Sequence, residues 1–308
     1  MTADSGVART SRRARWGIRL AVRCALLTGC CSLLAAFPTP LDAQQTDIET
    51  ERTEFSRWLA TAPTSPLAAL ALIAVGTGIR LGPADADVPI PGAPEANVVE
   101  RGGRITAIVG GTVRALPRGQ PVNLFRDHTV LAGGTPGRTM LAVFSIRARK
   151  PAKAAAWYPY RPAAAVAVTL EPPAQPGTVR VLTADGIEVN AAEAGTVALA
   201  YGGQRARLIV RRMPGAMADE SELEVYFRDR TNGKGTYPAG RFVALVPTGD
   251  GRYRLDFNRA RNPFCAYSGV YPCPAPWRGN TIPAPVEAGE RYSGGGLDPG
   301  KVGDGASD

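Results

Sequence analysis

Beyond Arg80 the apolar residues of the chain recur at every second position, which is the period of a half-buried β-strand. The alternating segments are short and are separated by turn residues such as Asp185-Gly186, Gly202-Gly203 and Asn232-Gly233. The clearest segments are 179–181, 187–189, 197–201, 206–210, 223–227 and 253–257, and a weaker form of the pattern covers 99–146. Short strands with one apolar face each predict a mainly β fold with an antiparallel β-sandwich or barrel-like core.

Two segments upstream of these strands have other patterns. The sequence 46–49 is a capping box, and the helical face that follows is closed by Pro63. This face carries Ile48, Phe55, Trp58 and Leu59. After Ser65-Pro66, the apolar run 67–75 predicts a short buried helix or a core strand, with an exposed membrane-contact segment as the alternative. We therefore expect one or two helices before the β core.

The first 43 residues have the order of a secretory signal peptide. Six arginines precede an apolar stretch of 13 residues, 25–37, which is too short to cross a bilayer as a helix. Helix-breaking and small residues follow, and they predict cleavage after Ala43. Ser11-Arg12-Arg13 leaves twin-arginine export as an alternative, and Leu27-Thr28-Gly29-Cys30 leaves a lipoprotein anchored at Cys30 as another. No later segment predicts a transmembrane helix, so the mature chain is expected to lack one.

The remainder predicts one β-rich domain over 44–292, with a possible division into two β lobes at about 66–140 and 141–292. The last residues, 293–308, are rich in glycine and have almost nothing apolar to bury. They are predicted to form a disordered tail.

Removal of residues 1–43 takes away six arginines and two acidic residues, which lowers the formal net charge from +9 to +5. The remaining basic residues are scattered among acidic ones and form no stripe with interleaved aromatic residues. The charge pattern therefore argues against a nucleic-acid-binding protein.

Cleavage would also reduce the cysteines from five to two, Cys265 and Cys273. In an exported protein, the simplest interpretation of such a pair is a disulfide, here across a nine-residue loop. A metal site or a reactive thiol is the alternative. A metal site would need further ligands, and His128 is the only histidine of the chain. We expect neither a metal nor a cofactor.

Three segments resemble catalytic motifs without completing one. The sequence 108–112 is similar to the mature start of a trypsin-type protease, but no matching histidine or Gly-Asp-Ser-Gly-Gly segment accompanies it. Gly76-Thr77-Gly78 has no third glycine at the dinucleotide-binding spacing and predicts a turn. His128 beside Asp127 could act as a general base, but a solvated loop histidine is the simpler interpretation.

Polar and aromatic residues are concentrated between Phe227 and Glu290. Their motifs are 227–233, Thr236-Tyr237, Gly240-Arg241-Phe242, 255–258, 262–267, Cys273-Pro274, Asn280 and 287–290. Trp157-Tyr158-Pro159-Tyr160 with Pro162 is a further motif, and Ser65-Pro66-Leu67 to Asp87-Val88 forms an opening block.

These motifs resemble the bacterial family called domain of unknown function 1684. The resemblance covers roughly 54–290 and is strongest over the last sixty residues. It departs from the family at 67–75, at Ala86-Asp87-Val88 and at 278–283. The resemblance implies a fold and an exported location, and it supplies no chemistry. Whether the protein is an enzyme stays open at this point.

Within this block, Arg228, Asp229, Arg241 and Asp256 can form two ion pairs, which either bind an anionic ligand or tie strands together. Asn258 and Asn262 favour turns. In a functional interpretation, Arg241 orients an anionic group, Asp256 acts as acid or base, and Tyr237 and Tyr267 form the walls of a pocket. The candidate catalytic residues are thus Asp256, Arg241 and Tyr267. The candidate ligand-binding residues are Arg228, Asp229, Tyr237, Arg241, Asn258 and Asn262.

Three functions are compatible with these residues. The favoured one is an exported protein that binds a small ligand or an envelope component without turnover. The second is an envelope hydrolase that uses Asp256 with Arg241 and Tyr267. The third is a structural or partner-binding module. An Asp256 that is buried and saturated by donors would argue against the hydrolase.

Overall fold

The structure is a computed structural model, and it describes residues 40–150, 155–214, 221–292 and 294. Side chains are described from Gln44 onward. Residues 1–39 of the predicted signal peptide, and the predicted tail apart from Gly294, lie outside the described residues. Among those that are described, no helix combines the length and the apolar character needed to cross a bilayer.

One α-helix, α1 (Pro40–Thr61), precedes the strands. It begins at Pro40, so the predicted capping box lies inside the helix rather than at its start. A proline is well tolerated at a first helical position, because the amide hydrogen that it lacks would have no partner there. The helix ends two residues before Pro63, as predicted. Ile48 and Leu59 are buried, which places the predicted apolar face against the β structure.

The apolar run 67–75 forms a strand and not a second α-helix. It begins with a 3₁₀ turn, Pro66–Ala68, in which the Ser65 hydroxyl accepts a hydrogen bond from the Leu67 amide at 3.2 Å. The run continues as β1 (Ala69–Ala74), which pairs with a strand about 70 residues later in the chain. The run is therefore a strand, as one of the predicted alternatives had it, although the residues of this strand are half-buried or exposed and not fully buried.

The described residues up to Ser145 form two sheets. Their strands are β1, β2 (Ile79–Gly82), β3 (Val88–Pro89), β4 (Ala96–Arg101), β5 (Arg104–Val109), β6 (Thr112–Ala115), β7 (Pro121–Phe125), β8 (His128–Thr135) and β9 (Arg138–Ser145). The sheet orders are β1-β9-β8-β7 and β3-β2-β4-β5-β6. Neighbouring strands are antiparallel except for the short β2–β3 pair. Residues of both sheets, including Leu81, Val98 and Leu141, share one apolar core.

The later strands form a closed barrel. They are β10 (Ala165–Glu171), β11 (Thr178–Leu182), β12 (Glu188–Tyr201), β13 (Gln204–Pro214), β14 (Ser221–Phe227), β15 (Arg241–Gly249) and β16 (Arg252–Asp256). Strand β10 pairs with both β16 and β12, so six antiparallel strands close on themselves, and β11 extends from β12. The mainly β, barrel-like fold predicted from the sequence is confirmed.

Closure of the barrel depends on a glycine. Gly195 has a φ of +138°, and it follows the β-bulge of β12 at Glu193. An added Cβ at this position would overlap the carbonyl oxygen of Glu171 on β10. Only glycine therefore allows β10 and β12 to approach at this point.

The extended segment 282–288 adds to the barrel core although it is not a strand. Its alternate residues Ile282, Ala284, Val286 and Ala288 are all buried in the cluster formed by the inward side chains of the barrel. The 3₁₀ turns Pro162–Ala164, Phe257–Arg259 and Phe264–Ala266 complete the described elements. The period of two in this segment is visible in the sequence, but two prolines prevent a regular strand there.

The predicted hairpins are present, with one change. Val181 pairs with Val189 across the Asp185-Gly186 turn, and Tyr201 pairs with Gln204 across Gly202-Gly203. The two predicted strands 187–189 and 197–201 are, however, parts of the single long strand β12. A bulge within it interrupts the alternation, which is why the sequence pattern divides it into two.

Candidate functional site

Charged side chains attach helix α1 to the barrel. Arg259 donates two hydrogen bonds to Glu51 at 2.8 and 2.7 Å. Arg52 donates to the backbone carbonyls of Tyr158 at 2.9 Å and Asn258 at 3.0 Å. These partners lie more than 100 residues after Glu51 and Arg52 in the chain, so the helix position is set by tertiary contacts.

The end of the helix is fixed separately by Arg149. Its guanidinium donates to the carbonyl oxygens of Ala60, Thr61 and Ala62 at 2.7, 3.0 and 2.8 Å. The last carbonyls of a helix have no intrahelical partner and carry partial negative charge, so a guanidinium is a favourable cap.

A cavity of about 450 Å³ lies between helix α1, the turn after β11 and the segment after β16. Its lining residues are Glu51, Glu54, Phe55, Trp58, Ala184, Arg261, Asn262 and Phe264. A volume of this size is within the range of small-molecule sites, and the combination of apolar walls with a few polar groups is typical of them.

Three aromatic rings provide the apolar walls. Phe55 and Trp58 stack with their centroids 5.6 Å apart, and Trp58 lies 5.8 Å from Phe264. Phe55 and Trp58 belong to the helical face predicted from the sequence. That face is divided between two roles, since Ile48 and Leu59 are buried in the protein while the two aromatic residues line the cavity.

Arg261 is the cation of the cavity. Its guanidinium lies 4.2 Å from the centre of the Phe55 ring, in cation–π geometry. Within the described part of the chain, the guanidinium has neither a hydrogen-bond acceptor nor an ion-pair partner. Burial lowers the pKa of Arg261, because the charged form loses solvation, while the carboxylates of Glu290 and Glu51 act in the opposite direction.

Asn262 is the second polar group of the cavity, and it is 4% exposed. Its amide nitrogen Nδ2 donates to the carbonyl of Arg291 at 3.2 Å. Its oxygen Oδ1 is buried and has no hydrogen-bond donor within the described residues. A buried acceptor without a donor is uncommon, because its desolvation is then uncompensated.

Glu290 is a buried carboxyl group behind Asn262. It accepts hydrogen bonds from the Asn262 amide at 2.9 Å and from the Tyr267 hydroxyl. Burial raises the pKa of Glu290 to about 7, although both hydrogen bonds and nearby Arg261 lower it. The same burial, together with the charge of Glu290, raises the pKa of Tyr267 well above its usual value.

The candidate residue Arg241 holds the backbone of the C-terminal segment 286–290 in place. It forms an ion pair with Asp229 at 2.9 Å, and neither side chain is exposed. Arg241 also donates to the carbonyl oxygens of Val286 at 2.9 Å, Ala288 and Glu290 at 3.3 Å. The Arg241–Asp229 pair confirms one of the two expected ion pairs and leaves no free face for an anionic ligand.

The other expected ion pair does not form as predicted. Asp256 is fully buried at the end of β16, where it caps the following 3₁₀ turn. It accepts from the Asn258 amide at 3.0 Å, from Asn258 Nδ2 at 2.9 Å, from Arg259 at 3.3 Å and from Gln44 at 3.4 Å. Arg228 is exposed and contributes through its backbone to a bridge with Thr281.

These contacts argue against the hydrolase. A general acid or base must reach its substrate, and Asp256 has no exposed surface and four donors. Arg241 is equally enclosed, and neither residue lines the cavity. Tyr267 contacts Phe55 from the protein side, with ring centroids 6.5 Å apart, and donates to Glu290. The three residues therefore do not converge on one open pocket.

The two cysteines form the expected disulfide. Cys265 and Cys273 are bonded, with their Cα atoms 5.5 Å apart. The hydroxyl of Tyr237 contacts the sulfur atoms at 3.3 and 3.2 Å, so this residue packs on the disulfide and does not line the cavity. Since Phe264 precedes Cys265 and lines the cavity, the disulfide lies directly beside the cavity wall.

The remaining candidates have structural partners. Asn258 holds the backbone of Arg161 through both its oxygen and its nitrogen, at 3.0 and 2.9 Å. His128 begins β8 and packs edge-on against Phe125, while Asp127 pairs with Arg147 at 2.6 Å. Burial lowers the pKa of His128. The described residues contain no cluster of three or more side chains arranged to hold a metal ion.

Asn262 is thus the one sequence-predicted site residue that lines the cavity. Sequence reasoning misses Arg261, Phe264, Trp58 and Phe55 as site residues. Phe55 and Trp58 carry the signature of a helix core face, and Arg261 has no neighbours in sequence that distinguish it from the other arginines. Their role appears only when helix α1 packs beside the turn at Phe264.

The protein is a closed β-barrel with a pocket that is lined in part by helix α1. Comparison with known proteins identifies its family. Residues 153–291 match the model of the protein family of unknown function DUF1684. The chain belongs to this family. The match covers the barrel, the C-terminal segment and the disulfide, and its residues include the Arg261 side of the cavity.

A solved structure is also similar in sequence. It is the solution NMR structure of an uncharacterized protein of Haloarcula marismortui, with 35% identity over 45% of this chain and 76% of that chain, and a TM-score of 0.39. A search of curated proteins found no match.

Proposed function

We propose that this protein is an exported, non-catalytic binding protein for a small ligand or envelope component, and that the cavity beside helix α1 is its binding site. The observation that carries the proposal is the composition of that cavity. Three aromatic rings line a cavity of about 450 Å³, and among the described residues its wall includes an arginine without a hydrogen-bond or ion-pair partner and a buried acceptor without a donor. Such a site lacks partners that a ligand can supply.

The arrangement of the candidate catalytic groups supports the proposal of binding without turnover. The side chains of Asp256, Arg241 and Asp229 form hydrogen bonds and ion pairs within the protein. The hydroxyl of Tyr267 donates to Glu290. Asp256 caps the turn that begins at Phe257, and Arg241 and Asp229 hold the backbone at Val286. In this proposal, these polar residues have a structural role and do not catalyse a reaction.

Export is supported by two observations. The residue order of 1–43 is that of a signal peptide, and the disulfide is of the kind that persists in oxidising compartments. Cleavage after Ala43 would remove the first four residues of α1 and keep all lining residues of the cavity. Mass spectrometry of the protein recovered from the periplasm would show a chain that begins at Gln44, and an acylated Cys30 would contradict this cleavage.

The binding function can be tested by a thermal-shift screen of a metabolite library against the protein produced from its full gene sequence. A ligand that binds only the folded state raises the melting temperature by mass action. Ala184→Phe is the matched counter-screen, because a bulky side chain at this half-buried turn position would fill the cavity without replacing a polar contact.

Hits that shift the wild type and do not shift Ala184→Phe support the proposal, provided that the variant retains its circular dichroism spectrum and melting temperature. A screen without hits, or hits that shift both proteins equally, would contradict it. The first of these results would favour a structural or partner-binding module.

A further inference from the structure

Among the described residues, Arg261 is the half-buried charged group of the cavity wall that has no hydrogen-bond or ion-pair partner. The other charged lining residues are Glu51 and Glu54. Glu51 is paired with Arg259 through both of its carboxylate oxygens, so its charge is already engaged. Glu54 is exposed on the helix, where solvent screens its charge. The carboxyl groups of Glu290 and Glu51 lie near Arg261, but neither forms a hydrogen bond or ion pair with it among the described residues, so its donors are free for an anionic ligand.

The position of the guanidinium limits where a counter-ion can bind. One face of its plane is covered by the Phe55 ring at 4.2 Å. Its backbone is held in a bridge to Phe242, with amide-to-carbonyl distances of 2.9 Å in both directions. The main chain of Arg261 is thus fixed by Phe242, and its guanidinium is stacked on the Phe55 ring. The hydrogen-bond donors of the guanidinium therefore point outward within the guanidinium plane. A planar carboxylate is the anion that this donor geometry matches best.

Asn262 favours a ligand that carries a hydrogen-bond donor. Its buried Oδ1 has no donor in the described structure, whereas its Nδ2 is bonded to Arg291. It neighbours Arg261 in the chain, and both residues line the cavity. A ligand that carries a hydroxyl or amide donor next to its carboxylate would satisfy both residues at once if a small movement of the Asn262 side chain exposes its buried Oδ1 to the cavity. The rings of Phe55, Trp58 and Phe264 would receive its apolar body.

We infer that the ligand of this cavity is a small carboxylic acid with an apolar or aromatic body and a hydrogen-bond donor beside the carboxylate, bound through Arg261 and Asn262. This inference rests on the proposed function, because it specifies the ligand of the same cavity. It excludes cationic amines as ligands, since Arg261 would repel them and Glu51 is already paired.

A matched series of probes tests the charge requirement directly. The probes are 3-phenylpropionate, its neutral amide 3-phenylpropionamide, the cation 3-phenylpropylamine, and 2-hydroxy-3-phenylpropionate, which adds a donor beside the carboxylate. Dissociation constants are measured by ligand-detected NMR titration with the full protein. We expect the carboxylate to bind about tenfold more tightly than the amide, as for a hydrogen bond to a charged group. We expect the hydroxy acid to bind more tightly again, and the amine not to bind.

Two variants locate the effect. Arg261→Met removes the charge and keeps an apolar side chain of similar length, so it should bind the carboxylate and the amide equally. Arg291→Met is the matched control, because Arg291 also stacks on an aromatic ring, at 5.2 Å from Tyr158, but does not line the cavity. Arg291→Met should keep the full preference for the carboxylate. Arg261→Lys retains the charge and provides a second variant if Arg261→Met fails to fold.

Equal affinity of the wild type for the carboxylate and the amide would overturn the inference and leave cavity binding intact. A carboxylate preference that survives in Arg261→Met would also overturn it. If none of the four probes binds while the metabolite screen yields hits that Ala184→Phe abolishes, the inference is wrong and the proposed function stands. If the screen yields no hits either, both fail.

Discussion

Arg241 Nη2 donates to Asp229 Oδ2 at 2.9 Å, and neither side chain has any exposed surface. The pair holds the C-terminal segment from both sides. Arg241 donates to the carbonyl oxygen of Val286, and Asp229 Oδ1 accepts from the amide of the same residue at 3.1 Å. Because this segment contributes to the barrel core, the ion pair attaches part of that core to the ends of β14 and β15.

Removal of one partner of this pair should destabilise the protein strongly. Asp229→Asn leaves a buried guanidinium without a counter-ion, and we expect a loss of about 3–5 kcal/mol in the free energy of unfolding. Chemical denaturation measures this change. Arg230→Met is the control, since Arg230 is exposed, and it should change stability by less than about 0.5 kcal/mol. A similar small loss for Asp229→Asn would show that the pair does not support the fold.

Reduction of the disulfide should weaken the fold by a smaller amount. The loop from Cys265 to Cys273 is short, and the chain-entropy model assigns about 2.5 kcal/mol to its closure. We expect the double variant Cys265→Ser/Cys273→Ser to be destabilised by about this amount. Intact mass spectrometry of the purified protein should show two hydrogens fewer than in the reduced chain. Two free thiols in that protein would contradict the prediction.

The buried carboxyl group of Glu290 should make stability depend on pH. Its folded-state pKa is about 7 against an ordinary value of 4.5, so the folded protein holds this proton more tightly than the unfolded chain. The stabilising contribution is complete below about pH 4.5 and is lost as the pH rises through about 7. Its size is up to about 3 kcal/mol. The groups that face this carboxyl are Tyr267, Asn262 and Arg261.

Glu290→Gln should remove this part of the dependence. Unfolding free energies at pH 5 and pH 8 should differ less in the variant than in the wild type. Part of the dependence should remain, because burial also raises the pKa of Glu224 to about 7. Glu287→Gln, an exposed neighbour, should behave as the wild type. An unchanged pH profile in Glu290→Gln would refute the assignment.

The cap on helix α1 gives a local prediction. Arg149→Met removes three hydrogen bonds to the last carbonyls of the helix, and we expect a loss of roughly 1–2 kcal/mol. Hydrogen exchange should become faster over the last turn of the helix, next to Trp58 in the cavity wall. Arg147→Met removes only the ion pair of the exposed Arg147 with Asp127, and it should leave this exchange unchanged.

The sequence predicts those features that depend on neighbouring residues. Hairpins such as the one at Asp185-Gly186 follow from alternation and turn chemistry, which act over about ten residues. The period-two rule does not find β15, because the residues at the start of this strand are buried on both faces and form a continuous apolar run. Arg241 begins that strand, which the alternation does not indicate.

The candidate site shows the same limit. The polar residues of 227–290 can be recognised from the sequence as unusual, and most of them are buried. Composition cannot distinguish a buried network from a binding site, because both use arginine, aspartate and asparagine. Burial and hydrogen-bond partners decide between these roles, and they assign Arg241, Asp229 and Asp256 to the fold.

The sequence by itself determined the mainly β class, the helix before it, the cysteine pair and the family resemblance, since each depends on local pattern or on ordered motifs. Only the tertiary structure decided that the barrel closes through β10 and β12, and that Phe55 and Trp58 meet Arg261 across about 200 residues of chain. The physical reason is that a cavity is made by surfaces that remain unfilled after packing, and packing joins residues that no local pattern connects.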